Sequence, residues 1–195
     1  MADEASAMLT YDGEVSPIQA YLARPTSEGS RPAVIVIHEI LGLTDHIKRV
    51  ADRFVEEGYV AFAPNLFSRP ALAEVLTPSH IGEVMQFMTT VGWDKIADAA
   101  YVQQAMSQLP QEQRETVQRV LPVMFGGIPR DRLTQDLVKA VAYLHAQSFV
   151  QPGKVASIGF CFGGGLSINL ACHAELAASV LCYGQNPNQI GRAHV

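Results

Sequence analysis

The sequence predicts an α/β fold with a mostly parallel β-sheet and flanking helices. Residues 33–38 form a continuous, largely β-branched run, which is typical of a strand buried on both faces. Residues 46–57 show apolar side chains at helical spacing, and a second short apolar run follows at 59–63. This strand, helix, strand order indicates parallel strands joined by right-handed crossovers.

The elements before and between these strands follow from turn and stop signals. Residues 8–11 and 18–22 flank Asp12-Gly13, a dipeptide that favours a hairpin turn, so we expect an N-terminal antiparallel hairpin. Gly58 ends the predicted helix and Pro64 closes the second parallel strand.

The middle of the chain contains no strand pattern. Between residues 69 and 136 only helical candidates occur, at 81–90, 94–109, 111–124 and the start of 132–149. We interpret residues from about 70 to 136 as a helical insertion over the strand ends, whose last helix returns to the sheet. The α/β pattern then resumes with a strand at 154–160, a helix at 162–174 and a strand at 178–183, giving one domain over residues 1–189.

Composition excludes several classes of protein. The net charge of −5 argues against nucleic acid binding, because phosphate binding needs a basic surface. No apolar run approaches the roughly 18 residues of a membrane span, and the N-terminus lacks the pattern of a signal peptide. The 3 cysteines do not suggest a disulfide framework, and we expect a cytoplasmic protein. Cys172 and Cys182 are expected to be small core residues.

The chemical signal lies between the predicted strand at 154–160 and the helix at 162–174. With Ser in place of Cys161, this segment would match the nucleophile elbow G-x-S-x-G. A sharp strand-to-helix turn presents the central side chain at a helix N-terminus, where the dipole favours a thiolate. We therefore expect Cys161 to be a nucleophile and the Phe162 N–H to face a developing oxyanion. The elbow glycines are Gly159, Gly163 and Gly164.

Two other interpretations of this segment remain open. Cys161 could be a small buried apolar residue, with the glycines only packing a helix against the sheet. A nucleotide-binding loop is less favoured, because the glycine spacing does not fit G-x-G-x-x-G. The strand before and the helix after the motif favour the nucleophile.

A second candidate segment, His38-Glu39-Ile40-Leu41-Gly42, follows the first buried strand directly. The Ile40 N–H would supply the other oxyanion donor, and Glu39 would accept or hold the proton of Cys161. The alternative is that Glu39 is a surface loop residue or pairs with a cation such as Arg69. A zinc signature H-E-x-x-H is rejected, because its fifth position is Gly42 and the segment reads as a strand; we predict no metal site.

These segments resemble the dienelactone hydrolases, a family with the α/β-hydrolase fold. The resemblance rests on residues 34–42, on residues 63–69, on Gly159-Phe160-Cys161-Phe162-Gly163-Gly164 and on Tyr183-Gly184. It implies a Cys-His-Asp triad, Glu39 beside the thiol, and Ile40 and Phe162 as the oxyanion hole. It also implies cofactor-free hydrolysis of an ester or lactone, of the carboxymethylenebutenolidase type, through an acyl-cysteine.

The triad Asp and His are not found in this chain. No Asp follows Cys161, and the histidines after it are His173 and His194. His173 lies some 18 Å along the helix that starts beside Cys161, at about 1.5 Å per residue. Residues 190–195 resemble a translated sequencing adapter, so we expect a non-native tail and missing C-terminal strands.

Two hypotheses therefore stand beside each other. The parent protein would be a cysteine-nucleophile hydrolase with a small ester or lactone substrate, and it could be a homodimer. The 195-residue chain itself would instead be a catalytically incomplete fragment, inactive and limited to binding or oligomerising.

Overall fold

A computed structural model describes residues 4–96 and 98–184. The expected tail at 190–195, with His194, lies outside the described residues. The chain divides into two compact units, Met1–Arg69 with Pro129–Val195, and Pro70–Ile128. Every residue expected to carry chemistry belongs to the first unit.

The described part of the first unit contains a six-stranded mixed sheet. Its strands are β1 (Glu4–Asp12), β2 (Pro17–Pro25), β3 (Arg31–Ile37), β4 (Val60–Pro64), β5 (Val150–Phe160) and β6 (Ala178–Cys182). Their spatial order is β1-β2-β4-β3-β5-β6. The pairs β1·β2 and β2·β4 are antiparallel, and the other three pairs are parallel. The mostly parallel sheet and the N-terminal hairpin are therefore confirmed.

The helices, in chain order, are α1 (Asp45–Glu56), α2 (Pro70–Ala73), α3 (Pro78–Val91), α4 (Ala99–Ser107), α5 (Gln111–Pro122), α6 (Arg130–His145) and α7 (Phe162–His173). Of these, α1, α6 and α7 belong to the first unit and α2 to α5 to the second. The Thr44 side chain caps α1 by accepting a hydrogen bond from the Ile47 amide. One face of α1 packs on the sheet through Ile47, Ala51 and Val55.

Several predicted bounds were wrong by a few residues, for local reasons. The helix predicted at 94–109 begins only at Ala99, because the Asp98 carboxylate caps it by accepting from the Ala100 and Tyr101 amides. The helix predicted at 132–149 ends at His145, and β5 begins at Val150. The strands of the hairpin are longer than the apolar pattern indicated.

A buried ion pair joins the hairpin turn to α6. The Asp136 side chain is fully buried and lies 2.5 Å from the Arg69 guanidinium. The same carboxylate accepts the Glu14 N–H at 2.8 Å, and the Tyr11 hydroxyl donates to the Asp136 backbone carbonyl at 3.1 Å. A buried carboxylate with these partners fixes α6 against the start of the sheet.

Across residues 4–96 and 98–184, every helix is too short or too polar to cross a bilayer.

Candidate active site

Cys161 occupies a sharp turn between β5 and α7. Its backbone has φ 52° and ψ −115°, a left-handed conformation that L-residues rarely adopt. Its N–H donates to the Cys182 carbonyl at 2.9 Å, and its own carbonyl accepts from Gly164 N–H at 3.0 Å. These two bonds tie the turn to the end of β6 and to the first turn of α7. The backbone therefore has the geometry of a nucleophile elbow.

The elbow glycines are places where the backbone segments come too close for a side chain. A Cβ on Gly159 would collide with the backbone of Gly163, and one on Gly163 would collide with the Ile37 and His38 carbonyls. A Cβ on Gly164 would lie 3.0 Å from the Cα of Gly184. The three glycines thus let α7 start directly against β3, β5 and the loop after β6.

The three cysteines differ in exposure. Cys161 and Cys182 are half-buried, whereas Cys172 is exposed on α7. The expectation that Cys172 is a core residue was wrong, because its helix face does not pack on the sheet. Exposure therefore distinguishes Cys161 from Cys172 but not from Cys182.

The Glu39 segment lies at the same edge of the sheet as the elbow. Strands β3 and β5 are parallel neighbours, with Ile37 opposite Gly159, so both loops leave the sheet at its carboxyl edge. The loop after β3 turns back through a hydrogen bond from the Gly42 N–H to the Glu39 carbonyl at 3.2 Å. Glu39 and Cys161 therefore lie at the same edge of the sheet, the edge at which α/β sheets bind their ligands.

The Glu39 carboxylate has a partner that the sequence did not indicate. The Tyr183 hydroxyl donates to it at 2.8 Å, across 144 residues of sequence. Arg69, the cation considered as an alternative partner, instead pairs with Asp136 and Glu14. The salt bridge from Glu39 to Arg69 is therefore absent among the described residues.

The backbone amides of Ile40 and Phe162 have no protein acceptor within the described stretches 4–96 and 98–184. Phe162 is the first residue of α7, where an amide has no partner inside the helix. Its ring lies against the Arg130 guanidinium, at 4.8 Å from the ring centroid. Free backbone amides at this edge of the sheet are the kind of donor that an oxyanion hole uses.

The buried ring of His38 holds the backbone of Glu39 in place. Its ring is fully buried, its Nδ1 lies 2.6 Å from the Glu39 carbonyl, and its Nε2 accepts from the Leu66 N–H at 3.2 Å. These roles require a neutral ring with its proton on Nδ1. Burial lowers the pKa of His38 to about 4, against an opposing contribution from the hydrogen bond to Glu39. Both nitrogens are in use, so His38 is a support and not a general base.

Sequence reasoning missed the roles of His38 and Tyr183. In the sequence, His38 stands only in a segment that does not fit the zinc signature, and Tyr183 only in a segment that carries the family resemblance. A polar residue at the end of a buried strand, directly before the candidate loop, could have indicated His38. The Tyr183 to Glu39 bond had no local signal.

Other histidines of the described chain have surface or capping roles. His80 Nδ1 lies 3.0 Å from the Val75 carbonyl in the second unit, and His173 Nδ1 lies 2.7 Å from the Asn169 carbonyl on α7. Within residues 4–96 and 98–184, His, Cys, Asp and Glu form no group of three able to hold a metal ion.

The sheet order, the helices on the sheet and the elbow at Cys161 define a protein of the α/β-hydrolase class. The model of the dienelactone hydrolase family matches residues 18–194, so the chain belongs to that family.

Curated relatives agree with this assignment. A Saccharolobus solfataricus protein assigned as a carboxymethylenebutenolidase is 36% identical over 92% of this chain and 66% of its own length. Carboxymethylenebutenolidase 1 of Cupriavidus pinatubonensis is 25% identical over 85% of this chain and 55% of its own length. The chain thus spans about half to two thirds of these two curated relatives.

Two crystal structures share the fold. A Klebsiella pneumoniae protein assigned as a dienelactone hydrolase superposes with a TM-score of 0.65 at 21% identity, covering 96% of this chain and 62% of that one. A dienelactone hydrolase-like promiscuous phosphotriesterase from metagenomic libraries gives 0.60 at 23% identity, covering 98% and 63%.

Proposed function

We propose that the whole protein hydrolyses carboxylic esters or lactones with Cys161 as its nucleophile. The observation that carries the proposal is the left-handed backbone of Cys161, at φ 52°, between a strand and a helix. Such strain persists where the surrounding structure enforces it, and it concentrates at functional sites. The names of the carboxymethylenebutenolidase relatives support a lactone or ester substrate.

The proposed reaction has two stages. The Cys161 thiolate attacks the carbonyl carbon, and the new C–S bond leaves the negative charge on the carbonyl oxygen, near the Ile40 and Phe162 amides. Collapse of this intermediate breaks the C–O bond, and the alkoxide takes up a proton. Water then attacks the acyl-cysteine and gives up a proton to a base, and the thiolate leaves.

We propose that Glu39 accepts the proton of the Cys161 thiol before the first stage. Its carboxylate is half-buried at the same edge of the sheet as Cys161, and it already accepts a hydrogen bond from Tyr183. A carboxylate in this place can accept the thiol proton when a substrate carbonyl approaches. The base for the second stage would be the triad His that the family resemblance implies.

The test of this function is turnover of a p-nitrophenyl ester by the protein expressed from its full natural reading frame. Cys161→Ala should abolish turnover, whereas the matched variant Cys172→Ala should retain it, because Cys172 is an exposed residue on the far part of α7. Full turnover in Cys161→Ala would exclude the proposed nucleophile.

A second candidate function concerns the 195-residue chain alone. Among the described strands β6 pairs only with β5, and Val180 on it is 46% exposed. A free strand edge with an apolar side chain favours association with another copy. The chain alone would then be a binding or oligomerising module that forms a homodimer. Size-exclusion chromatography of the 195-residue chain beside the full-reading-frame protein tests this.

A further inference from the structure

Tyr183 is the second described non-glycine residue with a left-handed backbone, at φ 43°. It follows β6 directly, as Cys161 follows β5, and the two strands are parallel neighbours. A bulky aromatic residue in this conformation is an outlier that the surrounding structure must enforce. The two strained residues therefore lie side by side at the same edge of the sheet.

The neighbour of Tyr183 explains how its backbone is held. A Cβ on Gly184 would lie 2.7 Å from the Gly165 nitrogen and 2.8 Å from the Gly164 Cα. The chain after Tyr183 is therefore pressed onto the first turn of α7. The conformation of Tyr183 depends on the same packing that forms the elbow.

The side chain of Tyr183 does not contribute to a core. It is 70% exposed, and its ring makes one tilted contact with Phe160, at 6.3 Å between centroids. Its hydroxyl donates to the Glu39 carboxylate at 2.8 Å. The hydrogen bond to Glu39 is therefore the role that the described residues give to the side chain of this strained tyrosine.

The electrostatics keep this hydroxyl a donor. The hydrogen bond to Glu39 raises the pKa of Tyr183 to about 12, with smaller contributions from desolvation and from the charges of Glu39, Cys161 and Cys182. The groups that act on Tyr183 are Glu39, Cys161 and Cys182, while the Arg130 guanidinium lies over the Phe162 ring and the neutral His38 ring is bonded to the Glu39 carbonyl. The phenol thus remains protonated over the range in which thiols titrate.

We propose that Tyr183 is a positioning residue that holds the Glu39 carboxylate and thereby sets the pH at which Cys161 becomes reactive. This rests on the proposed role of Cys161 as the nucleophile. Glu39 and Cys161 both act electrostatically on Tyr183 at this edge, and a carboxylate near a thiol opposes a second negative charge. The Tyr183 hydroxyl compensates part of the carboxylate charge and restrains its position. Without this donor, Glu39 would hold the thiol proton more tightly.

The experiment is the pH dependence of iodoacetamide alkylation, followed at Cys161 by peptide mass spectrometry in the full-reading-frame protein. Tyr183→Phe should raise the midpoint by roughly 0.5–1 pH unit, which slows alkylation below the midpoint by about three- to tenfold. Glu39→Gln should lower the midpoint by removing the charge. In the Glu39→Gln background, Tyr183→Phe should then shift it by under about 0.2 unit.

An equal shift in both backgrounds would assign Tyr183 a merely structural role and overturn the proposal. No shift in Tyr183→Phe, with Cys161 still reactive, would overturn it too. If Tyr183→Phe does not fold, the pKa of the Tyr183 phenol is measured in Glu39→Gln instead. A fall of this pKa from about 12 toward 10 supports the proposal, and an unchanged pKa overturns it. Alkylation does not require turnover, so failure of the proposed hydrolase function would appear separately, as turnover in Cys161→Ala.

Discussion

Gly163 lies against the backbone of His38, so closely that a Cβ on Gly163 would be 2.5 Å from the His38 carbonyl oxygen. This contact joins the first turn of α7 to the end of β3. It therefore fixes the spacing between the first turn of α7, directly after Cys161, and the Glu39 loop. The two halves of the candidate site are coupled through backbone packing at this point.

We expect Gly163→Ala to separate these two segments. The added methyl would meet backbone carbonyls that cannot rotate away, and overpacking of this kind typically costs about 1–3 kcal/mol. Gly82→Ala is the matched control, because nothing lies within 4 Å of a Cβ at that helical position. There the substitution should leave stability unchanged or raise it by up to about 1 kcal/mol.

Urea unfolding of both variants measures these changes, and ester turnover should fall in Gly163→Ala alone. If Gly163→Ala matched Gly82→Ala in stability and turnover, the contact with His38 would have no role in forming the site.

We expect His38 to make the fold sensitive to moderate acid. Its pKa is about 4 in the folded protein and about 6.5 in an unfolded chain. Between these values the unfolded state binds a proton that the folded state does not, so stability falls as the pH drops from about 6.5 to about 4. This group alone would account for about 3 kcal/mol over that window.

The measurement is the free energy of unfolding at pH 7 and at pH 4.5. His38→Gln removes the titration, so its loss between the two pH values should be smaller than that of the wild type by about 2–3 kcal/mol. His173→Gln, which changes an exposed histidine on α7, should lose as much as the wild type. If His38→Gln lost as much free energy of unfolding between pH 7 and pH 4.5 as the wild type, the neutral, buried role of His38 would be contradicted.

The variant Glu39→Gln tests whether the Glu39 carboxylate takes up a proton during the reaction. Glu39→Gln keeps the size of the side chain and its acceptor oxygen for Tyr183, but it cannot take a proton. Removing the charge lowers the alkylation midpoint of the resting thiol, but no positioned group then takes the thiol proton when substrate binds. Turnover at neutral pH should therefore fall by roughly 10²-fold, since a positioned acid or base contributes on this scale. Kinetics at pH 7, with Glu56→Gln on α1 as an equivalent change away from the site, test this. Unchanged turnover in Glu39→Gln would reduce Glu39 to a loop residue.

Local patterns predicted those parts of the fold that neighbouring residues determine. The β-branched run predicted β3, and the glycines around Cys161 predicted a sharp turn between β5 and α7, which the structure confirms. The prediction that Cys172 is buried was wrong, because helical spacing does not say which face of α7 meets the sheet. The sequence predicts the elements better than their orientation.

Contacts between distant segments could not be predicted. The bonds from Tyr183 to Glu39 and from Leu66 to His38 span 144 and 28 residues. They depend on which strands become neighbours and on where each loop leaves the sheet. No spacing rule within one segment carries that information.

A further prediction concerns turnover by the 195-residue chain. No Asp follows Cys161 in it, and His38, the described histidine beside Glu39, has both ring nitrogens in use. Acyl transfer needs a proton for the alkoxide and a base for deacylation, and losing a triad member typically costs on the order of 10⁴ in rate. The chain should therefore turn over a p-nitrophenyl ester far more slowly than the protein from the full reading frame. Equal turnover would require a base among the residues present.

The central claim, that Cys161 is the nucleophile of an ester hydrolase, is tested most directly by trapping the acyl-enzyme. The full-reading-frame protein is mixed with p-nitrophenyl acetate, quenched in acid within the first turnover and analysed by peptide mass spectrometry. We predict one added acetyl group on Cys161, formed with the first release of p-nitrophenol and absent from Cys161→Ala. An acetyl group on another residue, or first-turnover release of p-nitrophenol by Cys161→Ala at the wild-type rate, would contradict the claim.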